Sequence, residues 1–188
     1  MSEFNHLMVD LETFGNQPYS AIVSIAAVKF NLETGDIDED NIFYERIDLQ
    51  SCLDIGLAVN ADTILWWMGQ STEAREELVK DNYYIGDVLH HFEYFLRQDC
   101  IEDIQLWGNS ARFDLGILSN AYEKTKMEAP WHFRNERDVR TLVSFKPEIK
   151  KSAEFKGVQH NPIDDCKYQI EYCSKIYKAI MNPITQNV

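Results

Sequence analysis

The hydrophobic period of this chain changes near residue 50, and that change restricts the fold more than any other feature. Before it, apolar residues come in short runs with β-branched content, at 6–12, 22–30 and 42–49. These runs predict three strands, and Asn31-Leu-Glu-Thr-Gly-Asp36 supplies turn chemistry between the second and third. Strands joined this closely predict an antiparallel meander. After residue 50, apolar residues recur at i, i+3, i+4 spacing, which predicts helices over 61–68, 72–80, 85–97, 114–126, 137–145 and 163–180. Residues 104–107 read as a short strand and 131–133 as a last one. Strands, then helices, then alternating elements predict an α/β layered domain with a mixed sheet. No repeat, low-complexity tract or Pro/Gly/Ser linker divides the 188 residues, so a single domain over 1–188 is expected.

Charge narrows the function. Thirty-one acids against 18 Lys and Arg give a net charge of −13. A general nucleic-acid coat protein needs a broad basic surface, so that class is excluded, whereas an enzyme that meets nucleic acid in a local groove is not. The imbalance is uneven. Residues 1–138 hold 10 basic and 26 acidic side chains, and residues 139–188 hold 8 and 5. Lys146, Lys150, Lys151 and Lys156 make the second part the only one able to attract a polyanion by its own charge. On charge alone a solvated helix face is the favoured account of them. Residues 1–4 carry no basic or apolar signal-peptide region, and no run approaches the ~18 apolar residues of a membrane span. Cys52, Cys100, Cys166 and Cys173 lack C-x-x-C spacing, so reduced thiols and a cytoplasmic setting are expected.

Three short motifs carry chemistry. In Asp10-Leu11-Glu12 the two acids sit at i and i+2 of a strand, on one face and about 7 Å apart along the chain, while Leu7, Val9 and Leu11 take the other face. Two carboxylates on a buried strand are costly unless neutralised, and hard divalent cations with oxygen ligands do that. Merely solvated surface acids are the plain alternative. Asn109-Ser-Ala-Arg-Phe113-Asp114 joins a strand to a helix, where Asp114 is either an N-cap or a third acid facing the pair. In His160-Asn-Pro-Ile-Asp164-Asp165, Pro162 suits the first turn of a helix and His160 precedes it. Periodicity does not choose between Asp164 and Asp165.

The ordered series D-x-E, N-x-x-x-F-D and H-x-x-x-x-D resembles the DEDDh branch of the DEDD 3′→5′ exonucleases. Trp107-Gly-Asn109, Phe113-Asp114, Pro130-Trp131 and Arg137-Asp138-Val-Arg140-Thr141 are similar to the phage-type exodeoxyribonuclease A group and to related small bacterial exoribonucleases. This chain departs from the pattern at Phe14, Pro162, Ile163 and Cys166, none of which is a ligand position. The resemblance implies an RNase H-like three-layer α/β fold, with a mixed five-stranded sheet flanked by helices, and a bacterial or phage origin. It carries the second aspartate as Asp165, not Asp164.

It further implies a two-metal phosphodiesterase. Asp10, Glu12, Asp114 and Asp165 would bind two Mg²⁺ or Mn²⁺ ions, with Asp10 bridging them. Glu12 and Asp165 would complete the ion that holds the attacking water, and Asp114 would help hold the other. His160 would be the general base, with an unperturbed pKa of ~6.5. The substrate would be the 3′ end of single-stranded DNA, or alternatively RNA or a 3′ overhang, with nucleoside 5′-monophosphates released. Leu11, Thr13 and Phe14 would contact the terminal nucleotide, Trp66 would stack on a base, and Asn109, Arg112 and Arg140 would touch sugar or phosphate. Of the adjacent Trp66 and Trp67, one should pack and one should be exposed. The resemblance also allows a homodimer. Two rivals belong to other classes. A catalytically inactive RNase H-like binding or assembly module should have lost a ligand, and all five signature side chains are present. An aspartyl-phosphate phosphatase wants D-x-D where this chain has Glu12.

Overall fold

The computed structural model describes residues 4–98, 103–157 and 161–182. Strand β1 (His6–Thr13) lies at the centre of one five-stranded sheet of order β3-β2-β1-β4-β5. It pairs antiparallel with β2 (Ile22–Phe30), which pairs antiparallel with β3 (Ile37–Arg46). On its other side β4 (Gln105–Gly108) and β5 (Glu136–Asp138) run parallel to it. The helices are α1 (Leu49–Asp54), α2 (Ala61–Met68), α3 (Thr72–Glu77), α4 (Ile85–Arg97), α5 (Asp114–Lys124), α6 (Val139–Phe145), α7 (Pro147–Ser152) and α8 (Pro162–Met181).

Side-chain alternation along β1 builds two cores. Leu7, Val9 and Leu11 face Val88, Leu89 and Phe92 of α4 and Leu115, Leu118 and Tyr122 of α5. Met8, from the opposite face, joins Ala26, Val28, Val139 of α6 and Ile170, Cys173 and Ile176 of α8. Every residue of β2 is buried, as befits a strand covered on both faces. The result is helices, mixed sheet, helices: the three-layer RNase H-like arrangement expected. Asp10 and Glu12 share the Met8 face, so their carboxylates point toward the α8 layer.

Several element boundaries differ from expectation, most of them by one or two residues. The last strand is Glu136–Asp138, not 131–133. Trp131 instead packs edge-on to Phe92 and Tyr122 and donates its Nε1–H to Glu136 Oε1 at 3.0 Å, while His132 caps a 3-10 turn over Phe133–Asn135. Strand β3 starts earlier, at Ile37, because an edge strand tolerates the acids of Ile37-Asp-Glu-Asp on its open side. It ends earlier too, because Asp48 accepts the Ser51 N–H and starts α1 at Leu49. Helix α3 stops at Glu77 instead of residue 80, and α1 and α7, six residues each, are too short to carry a period. Cys52, Cys166 and Cys173 are buried free thiols; Cys100 lies outside the described residues. No helix among the described residues is long and apolar enough to cross a membrane.

Candidate active site

Strand β1 ends in an irregularity. Its pairing with β2 slips between Glu12 and Thr13, so Glu12 faces Ser24 while Thr13 faces Ile22. Such bulges re-aim the last side chains of a strand. Beyond it the chain is pinned by main-chain bonds from Phe14 N–H to Ala21 O (2.9 Å) and from Asn60 N–H to Phe14 O (2.7 Å). Thr13 donates its hydroxyl to Gly15 O at 2.6 Å, and Trp67 donates Nε1–H to Thr13 O at 2.9 Å. Trp67 is 3% exposed and Trp66, ring against ring with it, is 45% exposed. One packs and one faces outward, as adjacency requires. Phe14 packs half-buried on the first core.

Helix α8 brings the second aspartate pair to this strand end. Asn161 caps it, accepting from the Ile163 and Asp164 N–H groups, and Pro162 occupies its first turn. Neither aspartate is therefore needed as a cap. Asp165 presents its carboxylate to Asp10 and Glu12: ligand oxygens of the three lie within 4.8 Å of one another. Asp164 turns away against Gly157, where even a Cβ would lie 2.5 Å from its carboxyl. Among the described residues this trio is the only group of three acidic, His or Cys side chains spaced to hold one cation. His160, the expected base, lies outside the described residues.

Asp114 stands apart from the trio. It is 2% exposed at the start of α5. Its Oδ1 accepts the Leu11 N–H at 3.2 Å and its Oδ2 the Asn109 N–H at 2.8 Å, so it fastens β1 to the end of β4 instead of capping its own helix. Gly108 makes this approach possible, because a Cβ there would come within 3.0 Å of the Asp114 side chain. Asp138, to which sequence assigned no role, holds the same loop: it accepts the Ala111 N–H at 2.9 Å and caps α6 through Thr141 N–H. Of the expected substrate contacts, Arg112 is exposed, and Arg140 donates to Asn109 O at 3.4 Å.

The electrostatics follow from burial. Desolvation, then the negative charges of Asp114, Glu12 and Asp165, hold the Asp10 carboxyl well above the ordinary carboxylate range. Glu12 is pushed up to about 8, by burial first and by Asp165 and Asp114 after it. Burial also raises Asp114, to about 7, against the pull of the Leu11, Asn109 and Asp114 main-chain N–H groups and the Arg140 charge. Repulsive carboxylates with oxygen donors at this spacing fit a hard divalent cation such as Mg²⁺ or Mn²⁺. A residue that sequence reasoning missed lies among them. Gln169, 4% exposed, donates Nε2–H to Asp10 Oδ1 at 3.0 Å. Its signal was the i+4 spacing from Asp165 on a helix already expected there.

Comparison with known proteins fits this geometry. The family model of the 3′-5′ exoribonuclease Rv2179c-like domain matches residues 5–177. An exodeoxyribonuclease of Enterobacteria phage T4 is 25% identical over 210 residues, spanning 92% of this chain and 92% of that protein. The nuclease domain of 3′hExo, a DEDDh family member bound to rAMP, superposes with a TM-score of 0.64 at 13% identity, covering 94% of each chain. The Mg²⁺- and Mn²⁺-bound form of S. pombe Pop2p gives 0.63 at 12% identity, over 95% of this chain and 84% of that one. E. coli ExoI in complex with ssDNA gives 0.59 at 14% identity, over 97% of this chain and 42% of that one.

Proposed function

Because the chain belongs to the 3′-5′ exoribonuclease Rv2179c-like domain family, a family of 3′-5′ exonucleases, we propose that the carboxylates gathered between β1 and α8 form its catalytic centre. The single observation that carries this reading is the Asp10, Glu12 and Asp165 oxygens within 4.8 Å of one another on the face of the central strand. The substrate is the 3′ end of single-stranded nucleic acid, shortened by one nucleoside 5′-monophosphate at a time. DNA is favoured, supported by the end-to-end likeness to a phage exodeoxyribonuclease; the family's description points to RNA as the competing substrate. One exonuclease domain over 1–188 is the matching organisation.

Asp10, Glu12 and Asp165, with Asp114 beside them, would hold two divalent ions, Mg²⁺ or Mn²⁺. Bound there, such ions polarise the phosphodiester and offset charge on the departing 3′ oxygen. They also let a chain of net charge −13 accept a polyanion at one place. His160 would take a proton from the attacking water on an imidazole nitrogen, the usual general-base chemistry of histidine. Asp114 keeps β1 and the Asn109 loop at fixed distance, so the acids are pre-positioned before substrate arrives. The Leu11–Phe14 main chain and Thr13 line the seat of the terminal sugar. Phe14 and Trp66 offer faces to a base, and Asn109, Arg112 and Arg140 offer donors to phosphate.

Single-stranded DNA and RNA of matched sequence, labelled at the 5′ end, test the reading with Mn²⁺, Mg²⁺ or EDTA. The expected result is a metal-dependent ladder shortening from the 3′ end, with the DNA lane faster. A faster RNA lane reverses the substrate preference and keeps the chemistry. Folded, Mn²⁺-loaded protein that degrades neither strand would instead indicate a binding module.

A further inference from the structure

Resting on that reading of the carboxylates as a metal centre, we propose that Gln169 is a positioning residue: its amide orients the Asp10 carboxylate and thereby sets the affinity of the site for its cation. Gln169 lies one turn beyond Asp165 on α8, so both side chains reach the same strand. Its Nε2 stands 3.0 Å from Asp10 Oδ1. The residue opposite Asp10 on β2 is Ala26, whose small side chain leaves room for the helix to approach. The donor engages one lone pair of Oδ1 and resists rotation of the carboxylate plane, leaving Oδ2 and the other face of Oδ1 for a cation.

The other end of the amide argues against a packing role. Gln169 Oε1 is buried and makes no hydrogen bond to any of the described residues. A leucine would fill nearly the same volume without an orphaned acceptor, so folding alone does not call for glutamine here. What glutamine supplies and leucine does not is a neutral donor. It offsets crowding of Asp10 by Glu12, Asp114 and Asp165 without adding a cation that would compete with the metal. Groups that orient metal ligands typically govern affinity by about 10–100-fold.

Mn²⁺ titration calorimetry on the full chain tests this, with melting in EDTA as the control for folding. Gln169→Leu should melt at or above the wild-type temperature, because it removes an unpaired acceptor, yet bind Mn²⁺ about tenfold more weakly. On an oligonucleotide at saturating metal, kcat should fall while KM stays near wild type. Gln169→Asn keeps the amide but is one methylene too short to reach Asp10, and it should lose the same affinity; it decides the matter if the leucine variant does not fold. Folded variants that bind Mn²⁺ within about twofold of wild type would overturn the assignment, since positioning effects are larger than that. Wild-type protein must bind Mn²⁺, and Asp10→Asn must lose that binding. If wild type does not bind, the metal centre itself falls; if only the Gln169 variants match wild type, the centre stands and Gln169 is merely buried.

Discussion

Asp114 and the Asp10–Glu12–Asp165 trio are the same chemistry put to opposite uses. Asp114 is almost fully buried and each of its oxygens takes a main-chain N–H, one from β1 and one from the end of β4. Its charge is largely spent on joining two strands. The trio is half-buried and crowded, and after burial the charge of Asp165 helps to raise the pKa of both Asp10 and Glu12. The main-chain donors of Asp114 offset part of the burial that raises its pKa to about 7, whereas in the trio burial and the neighbouring negative charges act in the same direction. The comparison teaches that function and stability pull against each other in one half of this site and run together in the other.

The largest expected effect separates the halves by sign. Asp10→Asn keeps the side-chain shape and an oxygen for Gln169 but removes a charge from the cluster. Exonuclease activity should fall about a thousandfold or more, equivalent to roughly 4 kcal/mol of transition-state stabilisation. The melting temperature in EDTA should rise instead. Asp114→Ala should lower both. It leaves the Leu11 and Asn109 N–H groups without their acceptor, at a cost of about 1–3 kcal/mol each when buried, or several degrees in a chain of this size. Differential scanning calorimetry of the two variants checks the opposition; a drop in melting temperature for both would break the comparison.

The sequence was most legible where physics acts locally. Helices α2 and α4 and strand β2 fall on their expected residues because a long apolar period leaves one way to bury the chain. The five acidic and His positions were legible as a spaced series, and four of them lie in the described residues. Asp165 over Asp164 came from the family resemblance, and the structure packs Asp164 against Gly157. What stayed hidden depends on tertiary approach. The second end of the Asp114 bridge, the Asp138 brace and the Gln169 amide all join residues from different elements, and of the three only Gln169 carries a local mark, its i+4 spacing from Asp165. Trp131 misled for a related reason. An apolar aromatic after a proline reads as strand, but its large ring is drawn into the core between Phe92 and Tyr122.

Titration sharpens the comparison without mutation. Glu12 has its pKa pushed up to about 8 in the fold, against an ordinary 4.5, and Asp10 is raised as well. Between those limits the folded state holds more protons than the unfolded one, so stability falls as pH rises through the window. The penalty is absent below about pH 4.5 and complete above about pH 8. Asp138 behaves oppositely. Its main-chain and Thr141 donors hold it below its ordinary value of 3.8, so its contribution is present above that pH and lost on acidification. The two windows do not overlap. In EDTA the melting temperature should therefore drop by several degrees from about pH 5 to about pH 8, and Mn²⁺ should restore most of it at the upper end. A flat profile in EDTA would mean that Glu12, Asp10 and Asp114, all of them raised, are better solvated than their packing indicates.

The smallest expected effect asks whether the same division of labour extends to the tryptophans. Trp67 is buried and donates to Thr13 O at the end of β1, so it belongs with Asp114 as a part of the frame. Trp66 stands beside it and is half exposed, so it belongs with the trio as a part turned toward a ligand. Trp67→Phe removes the indole donor and leaves a buried carbonyl unpaired, which should cost about 1 kcal/mol or more of stability and loosen the Thr13 turn. Trp66→Ala should leave melting within about a degree and raise KM for an oligonucleotide several-fold, since one base stacked on an aromatic is worth about 1–3 kcal/mol and part of that face stays wet. Its kcat should hold, because the stack is present before and during the chemical step alike. If Trp66→Ala instead changes melting and not KM, the exposed ring braces α2, and the outward half of the pair has no share in binding.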